Sequence, residues 1–300
     1  MPDYDRQNAA LSLGIVSVLL FLLWAASHSS GIVFLLSATA FAFLGLNNYA
    51  LIHEACHGNL NADHRINHWL GALLGWLFPV SFTFMQKAHQ VHHRNNRTDG
   101  EMFDYYYPDD NLLIKYAQWY SILIGIYPPI IPLGSLLMAL LPGIFQLQPW
   151  QTARSSSIIF DRDIFNTGVI ARIRLEVLLG ICFWVTLWQA LDLEPVATAV
   201  LYAVFWVNWS TRQYVTHAFS PRDVMNGAWN LRVSRLMGWI FLNGQWDLVH
   251  HQHPNARWQE LPVLGKTSQR PIPYWRQYLR LWAGPRPNRE AAPVALDEIP

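Results

Sequence analysis

The sequence predicts an all-α integral membrane protein, and three observations lead to this fold class. Hydrophobic residues occupy 52% of the 300 positions. Charged residues occupy only 14%, against about 25% in soluble domains. Several apolar runs approach or reach the length of a membrane-spanning helix. The net charge of +1 gives no sign of a nucleic-acid partner, and two cysteines cannot build a disulfide framework.

Four apolar runs predict four membrane spans, arranged as two hairpins. Each hairpin has a short polar turn, 27–31 in the first and 191–195 in the second. The predicted spans are 9–26, 32–52, 175–191 and 196–210. We therefore expect a multi-pass protein of about four transmembrane helices.

Two further apolar segments are interrupted by proline and predict re-entrant or interfacial helices. The segment 69–85 is short and contains Pro79, and the segment 116–145 carries prolines near its middle. Proline removes a backbone donor and breaks or kinks a helix. Non-helical backbone at membrane depth is tolerated where protein or a water-filled cavity covers it.

The positions of basic residues predict the orientation in the membrane. All 21 Lys and Arg residues lie outside the turns 27–31 and 191–195. By the positive-inside rule, both turns face away from the cytoplasm and the remaining polar segments face it. We expect one domain over 1–282 with a cytoplasmic histidine-rich cap, and a mobile tail over 283–300, which has no periodicity.

Histidines recur at helical spacing in three places. His89, His92 and His93 stand at i, i+3 and i+4, so their imidazoles share one helix face. The other sets are the pair His53 and His57, and the triple Asp247, His250 and His251. His217 lies four residues after Gln213. These patterns predict a metal centre.

The number of candidate ligands exceeds what one tetrahedral zinc requires. Eight imidazoles and the Asp247 carboxylate are available, whereas a zinc site takes three or four protein ligands. Nine ligands fit two metals of higher coordination, each with an open position. Imidazole suits iron, zinc, copper and nickel, so ligand type alone leaves the metal open.

The three motifs resemble those of the membrane fatty acid desaturase and hydroxylase family. They are His53-Glu54-Ala55-Cys56-His57 followed by Gly58, His89-x-x-His92-His93, and His250-His251 followed by Pro254 and Leu261-Pro262. The resemblance extends from about residue 30 to about residue 265 and includes the pattern of spans. The three residues between the histidines of the first motif resemble acyl-lipid and carotenoid-type members more than acyl-CoA-type members.

The resemblance implies an enzyme with a di-iron centre at the cytoplasmic membrane face. Such enzymes use O₂ and two external electrons to oxidise a C–H bond of a long hydrocarbon chain. Desaturation of a fatty acid held as an acyl lipid or acyl thioester is the first expectation. Hydroxylation, ketolation, or decarboxylation of a free fatty acid to a terminal alkene would use the same ligands.

The resemblance also implies roles for residues outside the motifs. A histidine after the last span joins the site in family members, which matches His217. Gln213 or Asn243 would hold a metal-bound water, and Glu54 is a further candidate beside the ligands. The third motif departs from the family, because Asp247 stands where histidine or sometimes glutamine is usual. Asp247 either binds iron directly or hydrogen-bonds an imidazole N–H.

An external electron donor is expected, because the sequence has no cysteine set for an iron–sulfur cluster and no haem-binding module. A ferredoxin, rubredoxin or cytochrome would serve. An acidic donor would dock on basic residues, unless these reflect only the positive-inside rule. The candidate basic residues are Arg94, Arg97, Arg212, Arg222, Arg232 and Arg235.

Two other classes of protein are also compatible with the sequence. Residues 53–57 also satisfy the H-E-x-x-H pattern of zinc proteases, with Glu54 as general base. An intramembrane zinc protease would leave most of the other clustered histidines unexplained. A metal transporter or haem-binding membrane protein predicts ligands within the spans, whereas these lie at the span ends.

Overall fold

The computed structural model describes residues 3–147, 154–155, 162–268 and 270–297, and this part of the chain is mostly helical. Among the described residues, four helices have 19 to 26 residues and the others have 14 or fewer. Their bounds are α1 Tyr4–Ser27, α2 Gly31–Cys56, α3 His64–Leu77, α4 Phe82–Asn95, α5 Leu112–Leu123, α6 Ile130–Leu140, α7 Thr167–Ala190, α8 Pro195–Gln213, α9 Arg235–Ile240, α10 Asp247–Gln252, α11 Leu261–Leu264 and α12 Tyr274–Leu281. The predicted all-α class is confirmed.

The first predicted hairpin is present as α1 and α2, which pack along each other. Within the described residues, these two helices are long and apolar enough to cross a membrane. Their outward faces are apolar, with Phe21 58% and Leu36 62% exposed. Such faces suit a lipid environment, because a helix that is hydrophobic all round is buried in protein or in membrane.

The second predicted hairpin is present as α7 and α8, and α8 packs against α2. In the part of the chain that the structure describes, α7 and α8 are not among the helices that are both long and apolar enough to cross a membrane. Arg172, Arg174 and Glu176 interrupt the apolar character of α7. The four-span topology therefore stays a prediction.

The proline-containing segment 69–85 forms a bend between two helices. α3 and α4 together are apolar enough for a span but meet at 97°. Buried Glu176 of α7 holds this bend: it accepts hydrogen bonds from the Ser81 hydroxyl at 2.6 Å and the Thr83 N–H at 2.8 Å. The Nε2 atom of His68 lies 3.2 Å from the same carboxylate. The bend turns α4 toward the end of α2.

The second proline-containing segment is also broken, into α5 and α6, with the prolines 128 and 129 in the gap. The Ser210 hydroxyl of α8 donates a hydrogen bond to the carbonyl of Ile122 in α5. Phe145, in a short 3-10 helix after α6, is buried in the same core as α2. α5 thus packs against α8, and α6 packs against α7.

Two-residue strands join distant parts of the chain in parallel pairs. β1, Tyr105–Tyr106, pairs with β4, Arg286–Pro287. β2, Leu231–Arg232, pairs with β3, Ile272–Pro273. β4 lies in the segment 283–300, which was predicted as a mobile tail, so that segment contains an element that the sequence pattern did not indicate.

Candidate metal centre

Helix ends bring the histidine motifs together. His53 lies in the last turn of α2 and His57 directly follows it. His89, His92 and His93 occupy the last two turns of α4, which the 97° bend directs toward the end of α2. Helical spacing places the histidines of each motif on one face, and the packing of α2 against α4 brings the two motifs together.

Five imidazoles converge in a first group. Its members are His53, His57, His89, His93 and His250, whose candidate ligand atoms all lie within 4.8 Å of one another. The Nε2 atom of His89 is 2.7 Å from Nε2 of His57 and 3.0 Å from Nε2 of His93. The Nε2 atom of His250 is 3.1 Å from that of His93.

Three imidazoles converge in a second group, consisting of His92, His217 and His251. The ring centroid of His217 lies 4.9 Å from that of His92 and 5.0 Å from that of His251. The two groups adjoin, because the rings of His93 and His251 are 4.4 Å apart. The structure thus brings together all eight histidines selected from the sequence and divides them between two adjoining groups.

Asp247 faces the second group. Its Oδ2 atom lies 3.1 Å from Nε2 of His217, and its Oδ1 atom lies 4.0 Å from Nε2 of His251. The opposite nitrogen of His217, Nδ1, is 3.1 Å from the carbonyl of Gly227 and donates to it. The carboxylate therefore stands beside the nitrogen of His217 that does not bond Gly227.

Burial disfavours the charged form of most of these imidazoles, and neutral imidazole is the form that binds a metal. His92 is the exception: although burial opposes it, the hydrogen bond and charge of Glu101 raise the pKa of His92. Burial, together with the nearby His92, lowers the pKa of His217 to about 3. Burial also holds the pKa of His250 and His251 well below the usual value. The pKa of Asp247 is raised by burial to about 6.

The donor set fits two transition-metal ions. An imidazole nitrogen binds such an ion at about 2.1 Å, so two nitrogens at right angles on one ion lie about 3 Å apart. The nitrogen separations in the first group, 2.7 to 3.1 Å, match this spacing. Asp247 Oδ2 is also a buried oxygen without a hydrogen bond among the described residues. A cation in each group would satisfy these buried atoms.

Glu101 belongs to the site and was missed in the sequence. Its Oε2 atom lies 3.3 Å from Nδ1 of His92, and the side chain lines the cavity beside the histidines. Glu101 lies in a short 3-10 helix after α4, so helical spacing from the second motif does not reveal it. Its position fixes the His92 ring and leaves Nε2 of that ring for a metal.

The three residues predicted to support the ligands occupy different places. Glu54 lines the cavity and accepts a hydrogen bond from the Trp258 N–H at 3.1 Å. Gln213 lines the same cavity and donates to the Tyr49 hydroxyl at 2.7 Å. Asn243 donates to the carbonyl of Trp258 at 3.0 Å and is not among the cavity-lining residues that the structure describes.

Other histidines stay outside both groups. His28 bonds the carbonyl of Trp24 in the turn after α1, and His68 contacts Glu176. His253 is exposed although it follows His251 by only two residues. Cys56 is buried in the apolar core and is not part of either group.

The basic residues expected to dock an electron donor do not form one surface. Arg97 is fully buried and paired with Asp104 at 2.8 Å, so its predicted docking role is wrong. The Arg222 side chain is 3% exposed and pairs with Asp99. Arg212 lines the cavity. Arg232 and Arg235 remain exposed.

A largely apolar cavity of about 510 Å³ opens onto both histidine groups. Its apolar wall comes from α4, α6, α8 and the segment after α6. This wall includes Phe84, Met85, Ile130, Leu133, Leu137, Phe145 and Trp209. A hydrocarbon chain fits such a wall, since binding cavities are mostly apolar with a few placed polar groups.

Comparison with known families gives one result that covers most of the chain. The family model described as Fatty acid desaturase matches residues 26–278. The match begins before α2 and ends within α12, so it includes all eight clustered histidines and Asp247. A search of curated proteins finds no match.

Proposed function

This chain belongs to the fatty acid desaturase family, and from that premise we propose that it is an O₂-dependent di-iron enzyme that desaturates a fatty acyl chain. Family membership implies an oxidoreductase associated with a membrane, and two apolar helices agree with this. The observation that carries the proposal is the convergence of eight histidines into two adjoining groups at one end of an apolar cavity.

The proposed ligands divide as the geometry divides them. His53, His57, His89, His93 and His250 hold one iron, and His92, His217, His251 and Asp247 hold the other. Asp247 is assigned as a direct ligand because it faces Nε2 of His217 and Nε2 of His251. A carboxylate lowers the positive charge of an otherwise imidazole-bound ion and thereby favours its oxidised form.

Iron bound by these residues would provide the chemistry that oxidises an unactivated C–H bond with O₂. The chain's own residues hold and orient the substrate, because positioning decides which C–H bond reacts. Trp209, Phe84 and Leu137 line the cavity and exclude water from the acyl chain. The Gly227 carbonyl and Glu101 orient the rings of His217 and His92 through Nδ1. Gln213, held by Tyr49, presents an amide at the cavity wall.

The overall reaction requires an electron donor. Removing two hydrogens from adjacent carbons while O₂ becomes two waters consumes two further electrons and two protons. We propose that a ferredoxin, rubredoxin or cytochrome supplies the electrons from the cytoplasmic side. The exposed Arg232 and Arg235 are the remaining candidates for its docking.

Comparison of lipids from cells with and without the chain tests the reaction. Extracts are hydrolysed and analysed by mass spectrometry, with an inactive His92→Ala variant as the control. A new double bond that is absent in the control supports desaturation. A new hydroxyl or keto group, or a terminal alkene one carbon shorter than its acid, would replace desaturation with another reaction of the family.

Metal analysis of the purified protein tests the class of enzyme. About two iron atoms per chain are expected, and zinc alone would contradict the proposal. Glu54 distinguishes the protease alternative: a zinc protease loses all activity in Glu54→Gln, because that residue would be its general base. The desaturase proposal gives Glu54 no proton transfer, and its carboxylate accepts a hydrogen bond from the Trp258 backbone.

A further inference from the structure

Arg212 is a cation in the wall of the apolar cavity. It lies in the last turn of α8, and it is the one Lys or Arg among the described residues that line this cavity. A charged side chain at the edge of an apolar, membrane-associated cavity is costly to place there. Such a residue indicates a functional site more often than a structural one.

The contacts of Arg212 fix the guanidinium without neutralising it. Its Nε–H donates to Oδ1 of Asn208 at 2.9 Å. Its Nη1 lies 3.4 Å from the hydroxyl of Tyr274. The rings of Phe43, Tyr274 and Tyr278 surround it at 5.9 to 6.0 Å. Aromatic rings position a cation but carry no net charge.

Arg212 has no carboxylate partner in the part of the chain that the structure describes, unlike two other shielded arginines. Arg97 pairs with Asp104 at 2.8 Å, and Arg222 pairs with Asp99 at 3.0 Å. Leaving a half-buried guanidinium without an anion is unfavourable, and a planar guanidinium binds carboxylate through two parallel hydrogen bonds. The missing anion is therefore expected from a ligand.

We propose that Arg212, with the Tyr274 hydroxyl, binds the carboxylate of an unesterified fatty acid whose chain extends through the cavity toward the histidines. This rests on the proposed function and narrows its substrate class from acyl chains in general to free acids. An ester or thioester lacks the negative charge that Arg212 would neutralise.

The contact of Arg212 with α2 also indicates which part of the fatty chain reacts. Its guanidinium lies 6.0 Å from the centre of the Phe43 ring, whereas His53, ten residues further along α2, belongs to the first histidine group. Ten residues of helix, from 43 to 53, span about 15 Å at about 1.5 Å per residue. A carboxylate bound at Arg212 is therefore separated from the irons by several methylenes, and an inner methylene is presented for reaction.

A phospholipid phosphate would offer the same anionic oxygens, so the test includes both sources. Purified, iron-loaded protein in detergent is titrated with hexadecanoic acid, its methyl ester and a sixteen-carbon lysophosphatidylglycerol. Wild type is compared with Arg212→Gln and Arg212→Lys. Arg172→Gln is the matched control, because Arg172 is exposed and does not line the cavity.

We expect wild type to bind the acid about 10- to 100-fold more tightly than the ester, as for hydrogen bonds to charged groups. Arg212→Gln abolishes this preference, Arg212→Lys retains part of it, and Arg172→Gln leaves it intact. Equal binding of acid and ester by wild type, or an unchanged preference in Arg212→Gln, would overturn the proposal. Tighter, Arg212-dependent binding of the lysolipid would overturn it in favour of a phosphate.

The result does not depend on turnover, so it is separable from the proposed function. If Arg212→Gln has an altered melting temperature, Arg212→Lys and Tyr274→Phe are compared with wild type instead, since both keep the shape of the site. Tyr274→Phe is expected to weaken acid binding by several-fold and to leave ester binding unchanged. If lipid analysis shows no desaturation but the preference for the acid is intact, Arg212 would still be a fatty-acid-binding residue.

Discussion

His250 and His253 lie three residues apart and have opposite environments. His250 is 2% exposed and its Nε2 atom faces that of His93, whereas His253 is exposed and outside both groups. We expect His250→Ala to lose most of the bound iron and to reduce turnover more than about 100-fold. Mutating even the residues that only support metal ligands lowers metal affinity or activity by about 10- to 100-fold. His253→Ala is the matched control. Iron per chain and product formation are measured, and full iron in His250→Ala would contradict the ligand assignment.

Substitution of Asp247 tests whether its carboxylate binds a metal or only orients the His217 ring. Its Oδ2 atom stands 3.1 Å from Nε2 of His217, on the metal-binding side of that ring. We expect Asp247→Ala to retain about half of the iron, because one of two ions loses a ligand, and Asp247→His to restore it. Elemental analysis of both variants measures this. Unchanged iron in Asp247→Ala would assign the carboxylate to orientation alone.

Glu101 is expected to act through His92 and not on the substrate. The carboxylate lies 3.3 Å from Nδ1 of His92 and fixes the ring. Glu101→Ala should therefore lower iron affinity about 10- to 100-fold, while Glu101→Gln, which keeps an acceptor, retains part of it. Chelator competition measures the affinity. Equal affinity in wild type and Glu101→Ala would exclude a positioning role.

Helical spacing explains why the site histidines were predictable and Glu101 was not. In α4 and α10, positions i, i+3 and i+4 share a face, so local sequence already places their imidazoles together. Glu101 reaches His92 through a turn in irregular chain, and Tyr49 reaches Gln213 between two helices. Such contacts depend on tertiary packing, which no local period encodes. The division of the histidines into two groups is likewise set by how α2, α4 and α10 meet.

At the scale of elements, a buried carboxylate holds the bend between α3 and α4. Glu176 is 1% exposed and accepts from the Ser81 hydroxyl and from the Thr83 N–H. Glu176→Ala leaves these buried donors unpaired at about 1–3 kcal/mol for each group. We expect a clear fall in melting temperature in detergent, and a smaller fall in Glu176→Gln.

The control for Glu176→Ala is Glu290→Gln, because Glu290 is exposed and its carbonyl accepts hydrogen bonds from Tyr107 and Asn288. It should leave the melting temperature unchanged. A melting temperature in Glu176→Ala equal to that of wild type would mean that packing alone maintains the bend. Iron content should fall together with stability, because the bend directs His89 and His93 toward the end of α2.

Proline explains which elements the sequence predicted well. Pro79 lies between α3 and α4, and prolines 128 and 129 lie between α5 and α6, so both broken helices were expected. The angle of 97° was not predictable, since it depends on the contact with Glu176 in a distant helix. The parallel pairs β1–β4 and β2–β3 were also missed. Two-residue strands carry no alternation, and their partners are remote in sequence.

At the scale of the whole molecule, contacts between the two hairpin turns place both turns at the same end of the bundle. The Glu194 N–H, after α7, donates to the Ser27 hydroxyl at the end of α1 at 3.0 Å. His28 also lies 3.9 Å from Asp192. Both turns therefore lie at one end of the bundle. α2 starts at this end and runs for 26 residues to the histidines, about 39 Å at about 1.5 Å per residue.

This separation exceeds the hydrocarbon thickness of about 30 Å, so the turns and the histidines should lie on opposite sides of the membrane. Single cysteines at Ser30 and Ala190 report one end and a cysteine at Lys266 the other, all three positions being exposed. Cys182→Ser removes the exposed native thiol, and Cys56 is buried. In intact cells we expect a membrane-impermeant maleimide to label Ser30→Cys and Ala190→Cys, but Lys266→Cys only after lysis. Labelling of Lys266→Cys in intact cells would place the histidine groups outside, where a cytoplasmic electron donor cannot reach them.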